Sequence, residues 1–406
     1  MFRQLIIITF IGASALAGEV RLSLDNAAGF ALRHNPAFQA AQLRIEEARG
    51  RLKQSGRLSN PQLETQFRRN TGAPEGVVEI ELVQRFPLTN RLRLEKEVSR
   101  SELKAAEAEV RDARRKLIAD TQSATLRLLA IEGQRQLRRE QLTNSTQLGD
   151  FTRRRVESGE SSTVDASQVD LETGQLQSDL LQLDVEHTAL LGELKPLLGA
   201  SRSDVIVITG KLPALTAIPP SGVDPGLRPD FMAAVANSEA AQRTSALAKS
   251  QRWEDVGLGF AAEGQRMEDA PNGIERDDFL GLKLAVPLPI WNRNEGRILE
   301  TSAAAERKEK ERDALAGSIS AEAAAARESM IVLAAIVNTL DRTMLPKARE
   351  IENQLREIYS TGQTSLPEML RARDRRLAFD RQRIEALKDF HLARIRHAAA
   401  TGTIRP

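Results

Sequence analysis

The chain has no cysteine in 406 residues. That excludes a disulfide framework, a thiolate metal site and a lipid-accepting cysteine near the start; it does not choose a compartment. Aromatic residues are scarce at 4%, with two tryptophans, Trp253 and Trp291, and one tyrosine, Tyr359. Together with 28% charged residues this describes a lean core and a wet surface, as in long helices and coiled coils. Neither sign of charge prevails: 58 Lys and Arg face 56 Asp and Glu, so net charge gives no argument for nucleic acid or anionic lipid.

Reactive constellations are missing as well. The four histidines (His34, His187, His391, His397) show no ligand spacing, and the last two sit on different faces of a helix. The six methionines are scattered. There is no Ser/His/Asp order, phosphate-binding glycine loop or HExxH. The inventory argues against an enzyme, and no cofactor or metal site is expected.

What is present begins with an export signal. Arg3 gives a positive n-region, Leu5 to Ala13 an apolar stretch, and Ala15-Leu16-Ala17 a cleavage pattern, so residues 1–17 read as a signal peptide. The competing reading, a membrane anchor, falls short of the ~20 apolar residues a spanning helix needs. Ile331 to Val337 is shorter still and lies in a charged helix, so any later membrane contact is expected to be made by strands.

The body of the chain repeats itself. Asn35-Pro36-Ala37-Phe38, Asn60-Pro61-Gln62-Leu63, Phe86-Pro87-Leu88 and Ser158-Gly159-Glu160-Ser161-Ser162 punctuate the first half. Arg228-Pro229-Asp230-Phe231, Trp253-Glu254-Asp255-Val256, Val286-Pro287-Leu288 and Thr361-Gly362-Gln363-Thr364-Ser365 punctuate the second in the same order. The pairs lie 193, 193, 200 and 203 residues apart, so only loop lengths change, which reads as a duplication. The first repeat spans 18–200, a linker 201–226, and the second repeat 227–402.

Each copy interleaves rods with short strands. Arg91 to Glu157 has no proline and only two glycines, and its strong helix formers predict a rod of roughly 100 Å. Asn292 to Ser360 repeats the design, with Pro346 predicted to interrupt it locally. Shorter helices open each copy (36–56 and 229–251) and close it (164–198 and 366–400). Strands are predicted at about 61–69 and 77–86, then 254–263 and 278–287, the second pair joined by a polar loop from Met267 to Asp278. Leu63, Thr65 and Phe67, then Val78, Ile80 and Leu82, form apolar rows; Leu258, Phe260, Leu280, Leu282 and Leu284 do the same later. Such rows fit a soluble half-buried strand as well as a strand of an outer-membrane barrel. Trp253 and Trp291 flank the same end of the second pair, where an interfacial belt would place them, although packing against the protein itself is the alternative.

If the strands lie in a bilayer, four of them cannot close, and an open edge in hydrocarbon leaves backbone groups unpaired at several kcal/mol each. Copies of the chain must then complete the sheet. Two copies give a barrel filled by side chains; three give a twelve-stranded barrel with room for a channel. The polar row Gln62, Glu64, Gln66, Glu79, Glu81, Arg85 and Lys283 suits a wetted lumen and favours three. Rods packed around the same axis would form an α-helical barrel, while an ordinary coiled-coil spacer remains the plainer reading of their periodicity.

The stretches His34-Asn35-Pro36, Leu58-Ser59-Asn60-Pro61-Gln62-Leu63 and Val286-Pro287-Leu288-Pro289-Ile290-Trp291-Asn292-Arg293-Asn294-Glu295-Gly296 resemble those of the TolC-like family of outer-membrane efflux proteins. The last is most similar to the branch serving heavy-metal (cobalt-zinc-cadmium or copper-silver) resistance. The resemblance implies a mainly α protomer with membrane β: a homotrimer, four strands per chain, continuous with a long periplasmic helical barrel, and 201–226 as an equatorial linker. It implies an outer-membrane location with a large periplasmic part, a periplasmic adaptor (membrane fusion protein) and an inner-membrane pump as partners, and passive conduction of substrates, metal ions first among them.

The resemblance also implies a periplasmic gate. The family's tyrosine falls on Tyr359, its first acidic gate position on Glu368, and its second on Arg371, a departure that puts cation selectivity in doubt. Glu160 and Asp165 occupy the equivalent turn of the first repeat. Threefold symmetry would turn each into a ring of like charge; an ordinary Glu368–Arg371 surface pair is the bland alternative. A type I secretion or multidrug conduit of the same fold, a periplasmic coiled-coil adaptor, and a secreted coiled-coil protein are the other functional readings.

Overall fold

The computed structural model describes residues 19–269 and 271–406; the expected signal peptide, 1–17, lies outside them. In chain order the elements are β1 (Glu19–Leu22), α1 (Ala27–His34), α2 (Pro36–Gln54), β2 (Gln62–Arg69), β3 (Gly76–Phe86), α3 (Arg91–Glu157), α4 (Thr163–Leu198) and β4 (Val205–Ile208). They continue with α5 (Pro229–Ser250), β5 (Val256–Asp269), β6 (Gly273–Ala285), α6 (Glu295–Thr339), α7 (Leu345–Ser360) and α8 (Leu366–Ala400). The protein is mainly helical, with a long helical bundle and a small β region. Two compact units partition it: residues up to 39, 114–223 and 320–406 form the first, 40–113 and 224–319 the second.

The proline-free stretch is one helix of 67 residues, and its end is chemically specified. Gly159 adopts φ 76°, which lets the Glu160 N–H reach the Arg155 carbonyl at 2.8 Å and the Gly159 N–H that of Val156 at 3.0 Å. This is the 6→1 and 5→2 closure that glycine allows at a helix C-terminus. Gly362 ends α7 in the same way, with Gln363 N–H on the Ile358 carbonyl at 3.0 Å. Helix α4 then starts on a capping box: the Ser162 hydroxyl accepts from Val164 N–H at 3.1 Å, and the Asp165 carboxylate accepts from Ser162 N–H at 3.2 Å.

The Asn35-Pro36 motif has a concrete task. The Asn35 amide oxygen caps α2 by accepting from Phe38 N–H at 2.7 Å, while its NH2 donates to the Pro196 and Leu197 carbonyls at 3.2 and 3.0 Å. One side chain thus satisfies a helix start and a helix end. Gly199 makes the approach possible, since its φ is 66° and a Cβ there would run into the His34 carbonyl.

Three expectations are corrected. Helix α6 starts at Glu295, not Asn292, because Asn294 sits in the left-handed region (φ 61°). Its N–H is held by the Asn292 side chain at 3.0 Å and its amide donates to the Ala248 carbonyl at 2.8 Å. Next, the predicted loop 267–278 is mostly strand: β5 and β6 stay paired as far as Asp269 and Gly273. Polar residues there end an apolar row without ending the backbone ladder, and the turn waits for Gly273 at φ 96°. Finally, the stretch from Glu295 to Ser360 holds a window long and apolar enough to cross a membrane by length and composition, where none was expected after the N-terminal segment. Within it Met330 packs with Phe390 and Ala393, and Val337 with Ala386 and Leu387, so those apolar residues serve helix packing in the first unit.

Pro346 does interrupt its rod. A π-helical turn, Leu340–Met344, separates α6 from α7 just before it. Proline has no N–H for the Arg342 carbonyl, and widening the turn accommodates that loss.

The linker is more structured than its composition suggests. β1 and β4 form a two-stranded parallel sheet, and Leu212, Leu215 and Ile218 then strap across α8 and its neighbours. The strap is pinned where His391, 1% exposed, donates from Nε2 to the Pro213 carbonyl at 2.9 Å. A carbonyl only accepts, so Nε2 carries the proton and Nδ1 is left buried without a partner. Burial pushes the imidazole below its ordinary pKa, with Arg394 adding to the effect. The unfolded chain therefore takes up a proton at a pH where the folded chain resists it. Stability from this group is complete above about pH 6.5 and falls as the medium is acidified. His391→Gln, which keeps the donor, is expected to lose less stability between about pH 7.5 and 5 than the parent in denaturant titrations; parallel losses would contradict this.

Candidate functional site

Both candidate regions are built by simple periodicity. In the second unit the sheet runs β2-β3-β5-β6, all antiparallel. Glu64 lies opposite Glu81, Gln66 opposite Glu79, and Glu79 opposite Glu263. Gln62, Arg85 and Lys283 fall on that same face by the period of two, so the register brings all seven polar candidates together. Leu63, Phe67, Ile80, Leu82, Leu258, Phe260, Leu280, Leu282 and Leu284 form the other face, and each is exposed. β2 and β6 are the outer strands of this sheet, each paired on one side.

The polar face has a detail that sequence reasoning missed. Glu81 is only 6% exposed, because β5 offers Gly257, Gly259 and Ala261 beneath it. The Lys283 ammonium sits 2.8 Å from Glu81 Oε1 across Gly259, where a Cβ would crowd both side chains at 3.2 Å. Two expected lining charges therefore neutralise each other. The signal was the spacing Gly257-x-Gly259, which becomes readable once strand register is known. Trp253 and Trp291 lie just beyond the Gly257–Ala285 end of the β5–β6 ladder, exposed by 47% and 94%.

In the first unit the tyrosine is not at the surface. Tyr359 is 6% exposed in a cluster with Val169, Leu366 and Met369, against Leu148, Phe151 and Leu370. The Arg155 guanidinium lies 5.5 Å from its ring centre and 5.8 Å from that of Phe151, and pairs with Glu160 at 3.5 Å. Asp165 caps α4, as described. Glu368 and Arg371 are both exposed, and the ordinary i,i+3 pair between them does not form. Glu368 instead accepts from the Thr364 hydroxyl at 2.5 Å in the first turn of α8.

Behind these residues lies a charged network that the sequence reading passed over as solvated helix faces. Arg373, 6% exposed, donates to the Gln141 carbonyl at 3.1 Å and pairs with Glu172 at 3.4 Å. Burial raises the Glu172 pKa against the opposing pull of Arg373. Glu352, 4% exposed, is shared by Arg356 at 3.0 Å and Arg376, while Asp380 is shared by Arg376 at 2.8 Å and Arg349 at 3.5 Å. Glu172 comes from α4, Gln141 from α3 and the others from α7 and α8; only their tertiary pairing, not their spacing, distinguishes these charges from surface charge. Among the described residues no group of three or more His, Cys, Asp or Glu side chains is arranged to hold a metal ion.

Residues 28–200 match the family model of the outer membrane efflux proteins. No curated protein sequence matches. Among solved structures, VceC from Vibrio cholerae aligns at 21% identity and TM-score 0.77, covering 93% of this chain and 96% of that one. The open-state outer membrane channel MtrE of Neisseria gonorrhoeae aligns at 15% identity and TM-score 0.73, covering 94% and 90%. CusC, whose structures describe transmembrane channel formation, aligns at 18% identity and TM-score 0.75, covering 93% and 92%. At these identities the structures establish a shared fold. The family-model match covers residues 28–200, and the fold shared with these channel proteins extends over 93–94% of the chain.

Proposed function

We propose that the chain is one third of a passive, non-catalytic outer-membrane conduit. Three copies close a twelve-stranded barrel, and their long helices line a periplasmic tunnel that receives substrates from an adaptor and an inner-membrane pump. One observation carries this reading: a four-stranded sheet, apolar on one face and polar on the other, whose two outer strands each have a free edge. In hydrocarbon those edges demand further strands, and only closure removes every edge. The family match and the channel folds support the same reading, and the matched punctuation of the two halves supports an internal duplication.

The cargo we propose is metal ions, on the strength of the Val286–Gly296 stretch and its likeness to the heavy-metal branch. A deletion strain challenged side by side with metal salts, dyes and detergents tests it. Sensitivity to metals is expected; sensitivity to dyes alone would assign the conduit to multidrug efflux.

The gate we propose lies at the α7–α8 turn, where threefold symmetry would gather Tyr359, Glu368 and Arg371, with Glu160 and Asp165 of the α3–α4 turn beside them. Arg371 is exposed, so a neighbouring copy's acids would be a natural counter-charge for it. In planar bilayers the double variant Glu368→Lys/Arg371→Glu is expected to change ion selectivity and to raise open-channel conductance or leak. Unaltered conductance and selectivity would remove these residues from the gate.

A further inference from the structure

Beneath the α7–α8 turn lies a pocket of 260 Å³ whose wall carries the Arg356, Arg373 and Arg376 guanidinium groups, the Glu352 carboxylate and Tyr359. Arg356 and Arg376 share Glu352, Arg376 also pairs with Asp380, and Arg373 pairs with Glu172. Among the groups on the wall itself, guanidinium outnumbers carboxylate.

Tyr359 supplies the second observation. It is 6% exposed, its hydroxyl is buried, and that hydroxyl has no hydrogen-bond partner. Leaving such a donor unmatched is costly, and native interiors avoid it. The ring is fixed by the Arg155 guanidinium and by its packing on Val169, Leu366 and Met369, so the hydroxyl cannot readily turn elsewhere. Leu148, Phe151 and Met369 give the wall one apolar side, and Asn144, Gln147 and Ser360 add neutral polar groups. An unpartnered O–H donor, a solvent-facing Arg356 guanidinium that only shares its carboxylate, and an apolar patch thus border the pocket.

We propose that this pocket binds a small monocarboxylate with an apolar body. Its carboxylate pairs with the Arg356 guanidinium and accepts from the Tyr359 hydroxyl, and its body fills the Leu148–Phe151–Met369 side. Arg356 suits the role because its planar fork matches a carboxylate and its side chain is 62% exposed, open to an incoming ligand. Inorganic phosphate would satisfy the charge but leave the apolar wall empty; a neutral amide would fill the wall and leave the charge. Because the pocket is walled by α3, α7 and α8, an occupant would tie the last two helices to the first.

Calorimetric titration of the detergent-solubilised, assembled protein tests the site without requiring channel activity. Benzoate is expected to bind once per chain, with benzamide and inorganic phosphate at least about tenfold weaker. Tyr359→Phe, which keeps the ring, is expected to weaken benzoate about tenfold, equivalent to ~1.4 kcal/mol. Arg356→Gln should weaken it too by removing the guanidinium partner of the carboxylate. Circular dichroism guards against misfolded variants. No benzoate binding, equal binding by Tyr359→Phe, or equal binding of benzamide would overturn the proposal. Its link to gating rests on the proposed function and is read separately: benzoate that binds without altering conductance would leave the site standing and refute only that link.

Discussion

Leu282→Arg is expected to remove the assembled protein from outer-membrane fractions while leaving helical content nearly intact. Leu282 is 90% exposed on the apolar face of β6, flanked along the strand by Leu280 and Leu284 on the same side. In water an exposed leucine exchanged for arginine costs little. On the lipid face of a barrel the same exchange costs ~2–4 kcal/mol near the bilayer midplane, and threefold symmetry would apply it three times. The matched control is Lys283→Arg, one residue along and on the opposite face, where the charge already faces Glu81. Heat-modifiable oligomer bands from outer membranes should vanish for Leu282→Arg and persist for Lys283→Arg. Survival of both would mean that the apolar face does not meet lipid.

Glu352→Ala is expected to be the most damaging single change in the first unit. Glu352 is 4% exposed on α7 and bonds Arg376 of α8 and Arg356 of its own helix. Removing one partner of a buried pair leaves an uncompensated charge, which costs ~3–5 kcal/mol. The low end applies, because Arg376 keeps Asp380 at 2.8 Å and Arg356 reaches solvent. Thermal unfolding in detergent should fall by several degrees, on the order of 2–4 °C per kcal/mol for a chain of this size or less. The double change Glu352→Leu/Arg376→Met should recover part of the loss, since apolar replacement of both partners avoids the orphaned charge. A double variant as unstable as Glu352→Ala would show that packing, not charge, is at issue.

How much of this was legible in sequence depended on whether the signal was local. The 67-residue helix announced itself by the lack of proline, and its end by Gly159 followed by the Ser162 cap. Strand faces were readable from alternation, because a period of two is intrinsic to the backbone. What needed tertiary information was hidden: that Glu81 is covered, that Glu352 is buried among arginines, and that Tyr359 turns inward. Charged residues on a helix read the same whether a neighbour covers them or not. Two misses were local and recoverable. The run Val205-Ile206-Val207-Ile208 carries the β-branched signature of a strand, and Asn292-Arg293-Asn294 that of a turn ahead of a helix. The overlong β5–β6 ladder was missed because polar residues were taken to end a strand, whereas they end only its apolar row.

The account stands on the number of chains that close the sheet. Native mass measurement of the mature protein extracted from outer membranes decides it directly. Three copies in one detergent-borne particle are predicted, with no fraction recovered from the soluble periplasm. A water-soluble single chain, its Leu280, Leu282 and Leu284 row shielded by its own helices, would contradict the barrel and with it the conduit.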